Sequence, residues 1–132
     1  MKVCGIVVEY NPFHNGHILH IEQARAKSGC DLLIAVMSPH FVQRGEPAIA
    51  DKWERARAAL HHGVDLVLEL PTIHAVQSAA FFASAAVDIL ALAGADTIVF
   101  GSESNDIDRL RQLAETLTDF HPPGNGISTV RQ

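Results

Sequence analysis

The chain has 132 residues, 48% of them hydrophobic and 19% charged, with a formal net charge of −5 when histidine is neutral. That length fits one domain with a real core, and that composition excludes a disordered chain. The acidic balance and the dispersed Lys and Arg residues exclude a chain driven to nucleic acid by its overall charge, so RNA contact needs a local basic patch or another domain.

Residues 2–9 form a near-continuous apolar run, the pattern of a strand buried on both faces. After Asn11 and Pro12 the spacing turns helical. Ile18, Ile21 and Ala24 share one stripe, with Leu19, Glu22 and Arg25 beside it, and Gly29 is placed to end the helix. Residues 31–37 form the next apolar run and strand. The stretch 38–47 holds two prolines and a glycine and predicts a loop, long enough for a compact domain to be a functional candidate. Asp51 can cap the following helix, with Glu54 placed as in a capping box, and the helix runs through Trp53, Ala56 and Leu60 to the neighbourhood of Gly63.

Residues 64–70 give a third strand, closed by Pro71. An Ala- and Phe-rich helix over 76–93 is apolar nearly all round, which predicts burial on more than one side. Gly94 ends it, and 96–100 is the fourth strand. Asn105 caps a last amphipathic helix carrying Ile107, Leu110, Leu113 and Leu117. The expected organisation is one domain over 1–120 and a turn-rich tail over 121–132 with no core of its own, where a further carboxyl-terminal region would begin. Four strand–helix alternations specify an α/β fold with a doubly wound parallel sheet. Ligands of such sheets sit beyond the carboxyl ends of the strands, here the loops 10–17, 38–50 and 101–104.

Cys4 and Cys30 each sit in or beside a buried strand without a CxxC pair, so they read as free thiols rather than as a disulfide or zinc framework. Residues 1–9 turn acidic at Glu9 and do not have the form of a signal peptide. The apolar segment 79–93 is too short for a membrane span, and a cytoplasmic protein is expected.

His14 and His17 flank Gly16 at a strand-to-helix junction, where unpaired N–H groups and the positive end of the helix dipole favour anions. One reading makes them polar residues that open a helix. The other makes their imidazole N–H groups holders of nucleotide phosphates, stabilising the charge that builds when the α-phosphate is attacked. Gly16 would let the backbone approach the ligand. His20, one turn on, fits a surface or packing role. No His-Glu-x-x-His spacing or third ligand supports zinc. Glu9 ends a buried strand, where an unpaired carboxylate is costly, so it needs a partner; a backbone or ribose contact suits it better than acid–base work.

His14-Asn-Gly-His17 after a buried strand is similar to the HxGH signature of the nucleotidylyltransferase superfamily, a Rossmann-like fold shared with class I aminoacyl-tRNA synthetases. A longer ordered set covers residues 3–117: Gly5 to His17, Phe41-Val-Gln-Arg-Gly-Glu-Pro-Ala-Ile49, Asp51-Lys-Trp53, Asp65-Leu-Val-Leu-Glu-Leu-Pro71, Gln77-Ser-Ala79 and Phe100-Gly-Ser-Glu103. It resembles the bacterial tRNA(Met) cytidine acetate ligase family. The resemblance implies a cytoplasmic, ATP-dependent enzyme that forms acetyl-adenylate and pyrophosphate from acetate and ATP. It then acetylates N4 of the wobble cytidine of elongator tRNA(Met). Mg2+ is expected because ATP chemistry usually needs it.

By the same resemblance, the ATP site comprises Val7, Val8, Glu9, Tyr10, Asn11, Pro12, Phe13, His14, Asn15, Gly16, His17, Ile18, Leu19 and His20, with Gly101, Ser102 and Glu103. His14, His17 and Arg44 are the candidate catalytic residues, and Gln43, Arg44 and Lys52 the candidate substrate contacts. Because acetate is already ionised, the site needs positioning and electrostatics rather than a general base.

Two departures from the family pattern stand out. Pro39-His40 replaces the usual Gly-Asn before the Phe-Val-Gln-Arg-Gly run, which alters the loop backbone and adds an imidazole. Family members are also much longer, continuing into an Asn-Asn motif, further arginine positions and a helical region for tRNA. Gly126-Ile-Ser-Thr-Val-Arg131 is similar to a short Ile-Ser-Thr-type motif used near the triphosphate. Two alternatives stay open: a small-molecule adenylyl- or cytidylyltransferase, and a truncated domain that binds nucleotide without turnover.

Overall fold

The computed structural model describes residues 1–101 and the backbone of a short strand at 128–131. The elements run β1 (Val3–Val8), α1 (Asn15–Ser28), β2 (Leu32–Met37), α2 (Lys52–His61), β3 (Leu66–Glu69), α3 (Thr72–Ala75), α4 (Ala79–Leu92), β4 (Thr97–Phe100) and β5 (Ser128–Arg131). The sheet order is β3-β2-β1-β4-β5 and every pairing is parallel. The chain therefore steps outward from β1 through β2 to β3, then crosses back to β4 on the other side of β1, the arrangement that opens a crevice at the carboxyl end of β1.

Register divides the side chains between two cores. Cys4, Ile6 and Val8 of β1 align with Leu33, Ala35 and Met37 of β2, and this face packs Ile21 and Ala24 of α1 and Ala59 of α2. Val3, Ile34 and Val36 point the other way, onto Ala75 of α3 and Ala86 and Leu90 of α4. Both faces are covered, as continuous apolar strands require. Gly5 belongs to the second core: a Cβ there would lie 2.6 Å from Leu90 Cδ2, so the missing side chain is the room that Leu90 fills.

The helix ends follow local chemistry. Gly29 adopts the left-handed conformation at φ 61° and its N–H donates to Arg25 O at 2.9 Å, ending α1 where expected. Asp51 Oδ1 accepts from Glu54 N at 2.8 Å and starts α2.

Two expectations about the helix over 76–93 need correcting. The helix expected over 76–93 is α4, which begins only at Ala79, after Ser78 caps it by accepting from Phe81 N, and a separate short helix, α3, precedes it after Pro71. Nor is α4 buried all round. Ala86 and Leu90 sink into the sheet, while Phe81 is 61% and Leu92 90% exposed, because a helix lying on a sheet presents only one stripe to it. On α2 the apolar Trp53 and Leu60 face outward and the buried positions are Arg55 and Ala59. The tail, read as turn-rich with no core of its own, contributes β5, paired with β4 from Thr97↔Ser128 to Phe100↔Arg131. The expected helix carrying Ile107 to Leu117 lies outside the described residues. Among the described residues, no helix is long and apolar enough to cross a membrane.

Candidate functional site

At the carboxyl end of β1 the chain bends sharply. Tyr10 takes φ 54° and turns its ring beneath α1, buried edge-on against Phe13 and His17 at centroid distances of 4.7 and 4.8 Å. Burial pushes its phenol pKa up. The chain then passes the cis Asn11-Pro12 peptide and enters α1.

His14 is itself the N-cap of α1. Its Nδ1 accepts from Gly16 N at 3.0 Å, and the Nδ1 of His17 reaches back to accept from His14 N at 3.1 Å. This is a capping box with imidazoles in place of the usual hydroxyl and carboxylate. Because each Nδ1 accepts, each neutral ring carries its proton on Nε2, the atom left to donate elsewhere. The two rings stack with centroids 3.8 Å apart. Gly16 has a second reason to be glycine: a Cβ there would lie 2.8 Å from His14 Cε1 and would push the capping ring aside.

Burial first, then the neighbouring His14 and His20, lower the His17 imidazole pKa from 6.5 to about 4. Burial lowers His20 as well. His17 is therefore a neutral donor at physiological pH. We expect a histidine NMR titration to place His17 near 4 with the Nε2–H tautomer; a midpoint near 6.5 would overturn this reading. The unfolded chain takes up this proton at the ordinary pKa and the folded chain only near 4. The His17 contribution to stability is thus complete above pH 6.5 and is lost as the pH falls through about 4.

The turn forms one wall of a cavity of about 380 Å³ lined by Glu9, Tyr10, Asn11, Pro12, His14, His17, Val42, Arg44 and Glu46, within the size range of small-molecule sites. The opposite wall is the loop after β2. A Phe41↔Pro47 bridge and bonds from Val42 N to Glu46 O (3.0 Å), Gly45 N to Val42 O (2.8 Å) and Ala48 N to His40 O (2.8 Å) close it on itself, with Gly45 at φ 81°. Glu9 has the partners its position demands: Oε2 accepts from Ser38 Oγ at 2.9 Å and from Gln43 N at 2.8 Å. Asn11 Oδ1 accepts from Ile49 N at 2.7 Å.

The structure thus brings His14, His17, Glu9 and Arg44 to one cavity. Val8 lies in the core, Val7 packs toward the opposite face of the sheet and Leu19 is exposed. Phe13 packs on the Tyr10 and His17 rings. Asn15 is exposed and Ile18 and His20 are partly covered. Gln43 turns its amide to Gln77 O at 3.3 Å. Lys52 lies outside the cavity lining: it pairs with Glu69 at 2.6 Å, in a separate hollow with Met37, Trp53, Ala56 and Val67. Gly101 is exposed just after β4, and Ser102 and Glu103 lie outside the described residues. Among the described residues, no three His, Cys, Asp or Glu side chains converge as a metal site.

Sequence reasoning missed Val42, Glu46 and the buried Arg55. A charged residue on the Ala59 stripe, four positions after the Asp51 cap, was the available signal for Arg55.

A family model described as HIGH Nucleotidyl Transferase matches residues 1–123. The chain belongs to this family. Among curated HIGH nucleotidyl transferase relatives, a tRNA(Met) cytidine acetate ligase of Leuconostoc citreum is 59% identical over 110 residues, covering 83% of this chain and 28% of that protein. The Bacillus subtilis tRNA(Met) cytidine acetate ligase is 52% identical over 121 residues, 92% of this chain and 29% of the relative. Thermotoga maritima TmcAL, solved bound with alpha-thio ATP, superposes with a TM-score of 0.87 at 55% identity, covering 91% of this chain and 29% of that one. A lipopolysaccharide core biosynthesis protein of Thermoplasma volcanium, 19% identical with a TM-score of 0.65, shares the fold alone. This HIGH nucleotidyl transferase chain spans under a third of the length of the curated relatives it matches.

Proposed function

We propose that this chain is the ATP-binding, adenylating part of a cytoplasmic tRNA(Met) cytidine acetate ligase. The observation that carries the reading is the pair of stacked imidazoles at the α1 N-terminus, each accepting at Nδ1 and leaving Nε2 to donate, on the wall of a cavity faced by Arg44. The ATP analogue bound by the Thermotoga relative supports a nucleotide as the ligand.

In this reading the triphosphate lies at the positive end of α1, with His14 and His17 donating to phosphate oxygens and Arg44 neutralising charge from the opposite loop. Acetate, already ionised, attacks the α-phosphorus with one carboxylate oxygen. The bond from that phosphorus to the bridging oxygen breaks, and pyrophosphate leaves with the electron pair. No proton moves, so neutral donors that meet the growing charge are the contribution required of the histidines. Mg2+ belongs to the reading as the counter-ion of the triphosphate. The N4 amine of the tRNA wobble cytidine then attacks the acetyl carbonyl carbon of the acetyl-adenylate: the C–N bond forms, the bond from that carbon to the AMP oxygen breaks, AMP leaves with the electron pair, and N4 gives up one proton to solvent. Gly101, Ser102 and Glu103 remain proposed nucleotide contacts; Gln43 and Lys52 remain proposed substrate contacts.

The test is isotope exchange between pyrophosphate and ATP. Exchange should require acetate; exchange indifferent to acetate, or driven by a phosphorylated acceptor or by CTP, would reject the assignment in favour of a small-molecule nucleotidylyltransferase. A second reading keeps the nucleotide and drops the turnover: the cavity binds ATP without activating acetate. Calorimetry showing ATP binding with no exchange activity would select it.

A further inference from the structure

Arg55 is 1% exposed, and nothing in the cavity chemistry accounts for it. It lies on the inner face of α2, and its guanidinium donates to four backbone carbonyls. Nε donates to Ala50 O at 3.0 Å, and Nη1 donates to Glu9 O at 2.8 Å and Ser38 O at 3.1 Å. Nη2 donates to Pro39 O. These acceptors belong to three separate segments: the end of β1, the exit from β2 and the approach to α2. Burying a cation costs several kcal/mol unless its bonds are satisfied, so an apolar side chain would be the cheaper filler if packing were the only need. A planar fork with five donors does what an apolar group or a lysine cannot: it holds several carbonyls at fixed mutual angles.

The bonded carbonyls are also the two ends of one loop. Ser38 and Pro39 open the segment that faces the histidine turn, and Ala50 closes it. Glu9, whose carbonyl Arg55 holds, grips the same loop midway through Gln43 N. That loop carries Val42, Arg44 and Glu46 to the cavity.

We propose that Arg55 is a positioning residue that clamps both ends of the 39–50 loop to the end of β1 and thereby sets Arg44 opposite the histidine turn. Its structural half stands on the hydrogen bonds alone; its consequence for ligand binding rests on the ATP reading above.

Hydrogen exchange on the ligand-free protein tests the clamp directly. In Arg55→Lys, protection of the Val42, Gly45 and Ala48 amides should fall at least tenfold while the Ile34 and Val36 amides keep theirs. A Leu90→Ala control, destabilised from the other face of the sheet, should leave local opening of the loop unchanged. In the wild type, Arg55 Nε–H and the Val42 and Ala48 amides should share one opening frequency, which keeps the question decidable if the variant does not fold. Calorimetry with ATP supplies the second arm. Arg55→Lys should weaken ATP about tenfold alone but under threefold in an Arg44→Ala background, because both changes remove the same contact. Unchanged loop protection, independent opening in the wild type, or fully additive losses would overturn the proposal. If the wild type binds no ATP, the ATP reading falls, and the exchange arm still decides what Arg55 does.

Discussion

Replacing His17 by alanine is expected to lower acetate-dependent ATP–pyrophosphate exchange by about a hundredfold to a thousandfold, the usual loss when one preorganised donor to a developing charge is removed. The same change also removes the Nδ1 that accepts from His14 N, so helix capping is lost with the donor. A cap of this kind is worth about 1 kcal/mol, or a fall in melting temperature of about 3–5 °C in a chain this size. His17→Asn separates the two effects. The asparagine amide oxygen sits near the Nδ1 position and can keep the capping bond, but no group remains where Nε2–H stood. Exchange should therefore collapse in both variants, while melting temperature falls in the alanine variant and stays near wild type in the asparagine variant. If asparagine restores exchange, His17 acts through the cap, and the phosphate role assigned to its Nε2–H is wrong.

The second large effect concerns stability. Leu90 is fully buried between α4 and β1, and Leu90→Ala should cost about 2–5 kcal/mol in urea unfolding, the range for truncating a leucine in a packed core. Against a total stability of about 5–15 kcal/mol that is a large fraction. Gly5→Ala should also destabilise, since its Cβ would press to 2.6 Å of the Leu90 side chain. The two changes answer each other: the new methyl enters the space that the shortened residue vacates. The double variant should be more stable than the sum of the single losses by about 1 kcal/mol or more. Strict additivity would show that Leu90 and Gly5 do not share that space.

Comparing these two sites shows which features can be read along a chain. The Leu90 contact is half-legible: the sequence marks 76–93 as helical and apolar, but its all-round apolarity cannot say which stripe meets the sheet. Only the docked helix shows that Ala86 and Leu90 go in while Phe81 and Leu92 stay out. His14 and His17 were legible as a pair at a strand–helix junction because their spacing is local. Their stacking, their mutual capping bonds and the depressed titration of His17 depend on Tyr10 and Phe13 closing beneath them, which a spacing of three does not contain.

Sequence alone determined the alternation of strands and helices over the first hundred residues, the stop at Gly29, the cap at Asp51 and the place of the histidine turn. Each of these rests on neighbours within one or two turns: periodicity of apolar residues, a glycine free to adopt positive φ, a carboxylate within reach of an N–H three residues on. Tertiary structure decided the rest. It placed β5 beside β4, turned Lys52 away from the cavity to Glu69, and buried Arg55 among carbonyls contributed by segments up to 46 residues away. Those contacts join segments distant in sequence, and their free energy comes from burial and hydrogen bonds that exist only once β1, β2 and α2 have packed together.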